Sequence, residues 1–105
     1  MTRHISVFTF LDTPDKAKNI ETVKAYLETV PEQFPLIKAQ FIGVPAAPTP
    51  ELPEDAPVMF GDIIQVADFE TTEDAGKYPA SEAHTRLVEF STPMLKKVTA
   101  MDYEV

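Results

Sequence analysis

Residues 3–11 (Arg-His-Ile-Ser-Val-Phe-Thr-Phe-Leu) alternate with a period of two and are rich in β-branched and aromatic side chains, as in a strand. One face of it carries His4, Ser6, Phe8 and Phe10, the other Ile5, Val7 and Leu11. After Asp12-Thr13-Pro14 the period changes. Ile20, Val23, Leu27 and Val30 recur at helical spacing, which predicts an amphipathic helix over 14–30, capped by Thr13 and stopped by Pro31 and Pro35. Residues 36–44 and 62–70 read as two more strands. Thr72-Glu73-Asp74 opens a short helix that ends at Pro79. Ser81-Glu82 restarts a helix carrying Leu87, Phe90, Met94 and Leu95, bent at Pro93, and residues 98–105 close the chain as a fourth strand.

Between the second and third strands, residues 45–61 hold five of the ten prolines. Fixed φ angles and missing donors exclude regular structure there. A loop that long is unusual in a compact domain. It reads either as a lid over a cavity or as a protruding extension, and the composition leaves both open.

The order βαββαβ predicts an α+β, ferredoxin-like domain: a four-stranded antiparallel sheet with its helices on one face, in a single unit over residues 1–105. The strands, however, are apolar on both faces: Ile5 and Val7 against Phe8 and Phe10, Ile63 against Ile64 and Val66. The helices cover only one face. The second cover is either a symmetry-related copy or the proline-rich segment folding back, and a homodimer is the simpler solution. We assign the His4–Ser6–Phe8 face to the cavity between the two sheets, with Phe8, Phe10 and the last strand at the interface.

Composition narrows the function classes. Net charge is −8, from 17 acidic and nine basic residues, which opposes association with nucleic acid or anionic membranes. Without cysteine there is no thiol nucleophile, disulfide or thiolate metal site. Three glycines form no phosphate-cradling loop, so no cofactor is expected. No apolar run is long enough to span a bilayer and no signal peptide opens the chain, so a cytoplasmic protein is expected.

The chemistry-bearing residues are few. His4 lies on the first strand, and a histidine facing a cavity is a candidate because it titrates near neutrality. His84 falls in the first turn of the last helix, where the helix dipole favours neutral, proton-accepting imidazole. Tyr78 can donate a hydrogen bond to a developing enolate. On one continuous helix, Tyr78 and His84 would stand about 120° apart, but Pro79 interrupts the helix. Each also has an ordinary structural reading, as a satisfied polar group or a packed ring. Asp102 completes the set, and no short ligand spacing points to a metal.

Several stretches together resemble the stress-responsive A/B barrel family, whose members are dimeric α+β barrels. They are Arg3-His4-Ile5 with Phe8 and Phe10, Gln33-Phe34-Pro35-Leu36-Ile37, Phe69-Glu70-Thr71-Thr72-Glu73 leading to Tyr78 and His84, and Asp102-Tyr103. Where the family's usual segment has Tyr followed by His-Pro-x-His, Ser81-Glu82 replaces the first pair and His84 keeps the second histidine. The resemblance implies a homodimer. It also implies, from the plant member olivetolic acid cyclase, an intramolecular aldol closure that uses Tyr78 and His84 near His4 and Asp102. The expected function is a dimeric domain that holds a small apolar or polyketide-like molecule in a cavity lined by His4, Phe8, Tyr78, His84 and Asp102. The alternatives are a cofactor-independent cyclase and a purely structural stress-related assembly.

Overall fold

The computed structural model describes residues 1–105. Strand β1 (Thr2–Phe10) lies at the centre, paired antiparallel with β3 (Ile63–Phe69) on one side and β4 (Leu95–Glu104) on the other. Strand β2 (Ile37–Gly43) pairs with β3, giving the order β2-β3-β1-β4. Helix α1 (Lys16–Gln33) follows β1, and α2 (Thr72–Lys77) and α3 (Glu82–Ser91) precede β4. This is the expected ferredoxin-like arrangement, with the second helix broken in two.

Helix α1 begins at Lys16 with Asp15 at its N-cap and no side-chain cap, so Thr13 does not cap it, and two further boundaries moved for physical reasons. Helix α1 runs through Pro31 instead of stopping there. A proline removes one helical hydrogen bond, here the one owed to the Leu27 carbonyl, and Gln40 Nε2 donates to that carbonyl instead, at 2.8 Å. At the other end, Thr92–Met94 forms one 3₁₀ turn around Pro93, so Leu95 already belongs to β4.

The assignment of faces is reversed by the structure. Phe8 and Phe10 are 4% and 2% exposed and lie beneath the helices, not at a sheet-to-sheet interface. They pack with Val23, Leu27, Ile63 and Leu87. A second cluster gathers Val30, Ile37, Ala67, Phe69, Ala75, Tyr78 and Ala83. Between the two lies a polar rung, where Ser6 faces Gln65 across the β1–β3 pairing. Both side chains are buried, and every buried side-chain nitrogen and oxygen in the chain has a hydrogen-bond partner.

The opposite face carries Ile5 and Val7 on β1, Ile64 and Val66 on β3, Phe41 on β2 and Met101 on β4. No helix covers it: Phe41 and Met101 are each 62% exposed. At one end of this face Arg3 makes a two-pronged contact with Asp68, Nε to Oδ1 at 2.7 Å and Nη2 to Oδ2 at 3.0 Å. That pairing holds the Asp68 carboxyl below the usual carboxylate range.

The proline-rich segment touches one corner of this uncovered face. A groove of about 420 Å³ runs between Val44–Pro50, Phe60–Ile64 and Val7. Gly61 passes so close to Val7 that a Cβ there would stand 2.2 Å from Val7 Cγ1. The two grooves that this segment lines include neither Tyr78 nor His84. No helix is long and apolar enough to cross a membrane.

Candidate functional site

The break between α2 and α3 builds the site. Tyr78 caps the end of α2, and Ser81 is the N-cap of α3, its hydroxyl accepting from the His84 amide at 3.2 Å. The same hydroxyl donates to the Tyr78 carbonyl at 2.7 Å. One serine thus holds both sides of the break and sets the angle between the tyrosine and the histidine. Their rings meet edge to face, 5.0 Å between centroids.

Strand register brings the other two residues. His4 pairs with Asp102 across β1–β4, although 98 positions separate them. His4 Nδ1 lies 2.5 Å from Asp102 Oδ1 and Nε2 lies 2.7 Å from Ser6 Oγ. A carboxylate only accepts, so Nδ1 donates to Asp102. In the neutral ring Nε2 is then the acceptor, and Ser6 donates to it. The His4 ring stands 5.7 Å from Tyr78, so two imidazoles flank one phenol ring.

Burial grades the site from one side to the other. Tyr78 is 1% exposed, the His4 side chain 14% and the Asp102 side chain 47%. The cluster therefore opens to solvent along β4, whose helix-side residues Val98, Ala100 and Asp102 are exposed. Burial pushes the His84 imidazole down from its ordinary value. The charge that His4 can carry adds to this, and the Pro79 carbonyl opposes it. Burial pushes the Tyr78 phenol up, against a hydrogen bond from Gln65, and proximity to Tyr26 adds to the rise. Near neutral pH the cluster holds a proton acceptor, His84, beside a protonated phenol donor.

Four of the five expected site residues converge: His4, Tyr78, His84 and Asp102. Phe8 does not. It points to the same side of β1 but lies one rung beyond Ser6, packed against Ile63 and Leu87 in the core. The 420 Å³ groove lies elsewhere and includes none of the five residues. No group of three or more histidine, aspartate or glutamate side chains is arranged to hold a metal ion.

Three polar partners escaped the sequence reading: Gln65, Gln40 and Tyr26. Gln65 donates to Tyr78 Oη at 3.3 Å and to Gln40 Oε1 at 2.9 Å, and Tyr26 Oη donates to the Ala83 carbonyl at 2.7 Å. A signal for the first was present. In Ile63-x-Gln65-x-Ala67-x-Phe69 a glutamine interrupts an otherwise apolar face.

The model of the stress-responsive A/B barrel domain matches residues 2–105, nearly the whole chain. The chain belongs to the stress-responsive A/B barrel family. Among solved structures, a dimeric ferredoxin-like protein from Bacteroides fragilis is similar at 19% identity and a TM-score of 0.79, covering 99% of this chain and 95% of the other. A hydroxynitrile lyase from Passiflora edulis is similar at 17% identity and a TM-score of 0.76, covering 99% and 92%. A protein of the same family from Mesorhizobium loti, also ferredoxin-like, is similar at 16% identity and a TM-score of 0.65, covering 99% and 95%. Likeness at these identities concerns the fold. No curated protein matches the chain significantly.

Proposed function

We propose that this member of the family is a homodimer, closed through its uncovered sheet faces, and that each protomer holds a small carbonyl-bearing molecule against His4, Tyr78 and His84. The observation that carries the ligand reading is the convergence of two imidazoles and a buried phenol at the edge of β4. The dimer is supported by the continuous apolar surface of Ile5, Val7, Phe41, Ile64, Val66 and Met101, and by the dimeric state of the Bacteroides fragilis relative.

The same geometry supports a second reading, an enzyme. Asp102 and Ser6 engage both nitrogens of His4 and hold its ring in place, while burial keeps His84 neutral, so the His84 imidazole can take an acidic proton beside a ligand carbonyl. The Tyr78 hydroxyl would then hold the enolate oxygen that forms. That step needs no cofactor: the C–H bond breaks, its electron pair moves onto oxygen, and the proton rests on imidazole. Carbon–carbon closure of a polyketide-like chain would begin in this way.

The test is titration of the isotope-labelled protein with a β-keto ester, followed by NMR, and then α-proton exchange of the ester in heavy water. Shifts concentrated at His4, Tyr78 and His84 are expected, with exchange lost in His84→Ala and reduced in Tyr78→Phe. Shifts confined to 44–50 and 60–64 would move the site to the proline-rich groove. No shifts with an intact, heat-stable dimer would leave a structural assembly as the better reading.

A further inference from the structure

A directed chain of hydrogen bonds crosses the core and ends on Tyr78. It starts at the Leu27 carbonyl of α1, which the helix leaves free because Pro31 has no N–H to offer. Gln40 Nε2 donates to it at 2.8 Å. A carbonyl oxygen only accepts, so the Gln40 amide cannot be turned round: its nitrogen must face α1 and its oxygen must face β3. That oxygen accepts from Gln65 Nε2 at 2.9 Å, which fixes the second amide in the same sense. The other proton of Gln65 Nε2 reaches Tyr78 Oη at 3.3 Å. The phenol oxygen therefore receives a hydrogen bond from the protein, while no acceptor in the chain takes its own proton.

We propose that Gln65 is a positioning residue, oriented by Gln40 and the carbonyl that Pro31 frees, and that it makes Tyr78 a one-way donor which selects ligands presenting an acceptor oxygen. A free phenol can donate to a carbonyl or accept from a hydroxyl with similar ease. Here the accepting side already holds an N–H aimed at it, and the phenol's own proton is what remains to be donated. A ketone or enolate oxygen completes the arrangement, whereas a hydroxyl or amine must turn its lone pair to the phenol or go unpaired. Desolvation makes that choice costly, since Gln65 and Tyr78 are each 1% exposed. The inference rests on the reading that Tyr78 faces the ligand, but the chain of bonds exists without one.

Two measurements separate the two claims. The first uses no ligand: ¹³C-labelled tyrosine is titrated by NMR, with Tyr78→Phe assigning the signal among three tyrosines. Removing the donor in Gln65→Leu should move the Tyr78 ionisation to higher pH than in the parent. Gln40→Met, which never touches Tyr78, should move it in the same direction by less. In the parent, side-chain amide protons of Gln40 and Gln65 should exchange slowly with solvent. This last measurement stands even where a variant fails to fold. Unchanged Tyr78 titration in both variants, or fast exchange of both amides, would overturn the relay.

The second measurement compares binding of a β-keto ester with that of the corresponding β-hydroxy ester. The parent should favour the keto form, and Gln65→Glu, which replaces a donor with an acceptor for the phenol proton, should erase at least tenfold of that preference. An unchanged ratio with both esters bound refutes selection by Gln65. If neither ester binds the parent, the ligand reading of Tyr78 falls, and with it the selectivity, while the titration still decides whether the relay is there.

Discussion

The two faces of β1 are made by the same strand and solve opposite problems. His4, Ser6, Phe8 and Phe10 point beneath the helices, where apolar packing is interrupted by a fully hydrogen-bonded polar rung. Ile5 and Val7 point to the other side, where an apolar surface is covered within the protomer only at the Val7 corner, by the proline-rich segment. A buried polar rung interrupts the closed side, and large apolar side chains stand exposed on the open one. Stability alone would favour the reverse, since buried polar groups gain little and exposed apolar ones gain nothing. The inversion makes sense if the polar rung serves a ligand and the open face serves a second copy.

The sharpest way to break this comparison is to truncate one phenyl on each face. Phe8→Ala should cost about 3–5 kcal/mol in urea unfolding, because the ring is buried among Val23, Leu27, Ile63 and Leu87. Phe41→Ala should change the stability of the isolated protomer by no more than about 0.5 kcal/mol, given its exposure. In the dimer its effect should depend on protein concentration, as linkage to association requires. A large, concentration-independent loss for Phe41→Ala would mean that the face is covered within one chain.

Next in size is a charge on the open face. Met101→Asp lies on β4 opposite Ile5 and is well exposed, so the fold should persist. Light scattering after size exclusion should show the parent at twice 11.7 kDa and the variant at 11.7 kDa. A parent that runs as a monomer at micromolar concentration would remove the dimer and leave the apolar face unexplained.

The alternation along residues 3–11 revealed two faces without saying which lies beneath the helices. A period of two labels faces only relative to one another, and a reversed assignment moves every side chain at once. The pattern was apolar on both sides, so nothing in this strand alone broke the symmetry, whereas the glutamine at position 65 marks the polar rung. Helix and strand order was legible because it rests on local spacing. Placement of Tyr78 beside His84 was not, since it depends on how Ser81 bridges a break that helical periodicity does not describe. The His4–Asp102 contact depends on register between the first and last strands, a property of the whole sheet. Pro31 reads as a stop in the sequence because the rescue of the Leu27 carbonyl comes from outside the helix, from Gln40 on β2.

A smaller effect probes the border of the open face. Gly61→Ala places a Cβ against Val7, and should cost roughly 1–3 kcal/mol as an overpacking change. Combined with Val7→Ala, which removes the obstructing methyl groups, the cost should be less than the sum of the two single changes. Simple additivity would show that the segment bends away instead, and that the proline-rich loop is not anchored on Val7.

The smallest expected effect lies in pH, where the two faces should titrate in separate windows. His84, on the helix side, has its folded value lowered by burial and by His4, so the unfolded chain binds the proton more readily. Its contribution is complete above the unfolded value near about 6.5 and is lost as pH falls from there toward the folded value. Asp68, on the open face, is held low by Arg3. Its contribution is present above the unfolded value near about 3.9 and disappears as pH falls through the lower, folded one. Urea midpoints measured from pH 8 to pH 3 should therefore decline in two stages. His84→Gln should flatten the upper stage and spare the lower, while Asp68→Asn should do the converse. If His84→Gln leaves the decline between pH 6.5 and 5 intact, the imidazole is not held neutral by burial, and His84 is not the proton acceptor beside Tyr78.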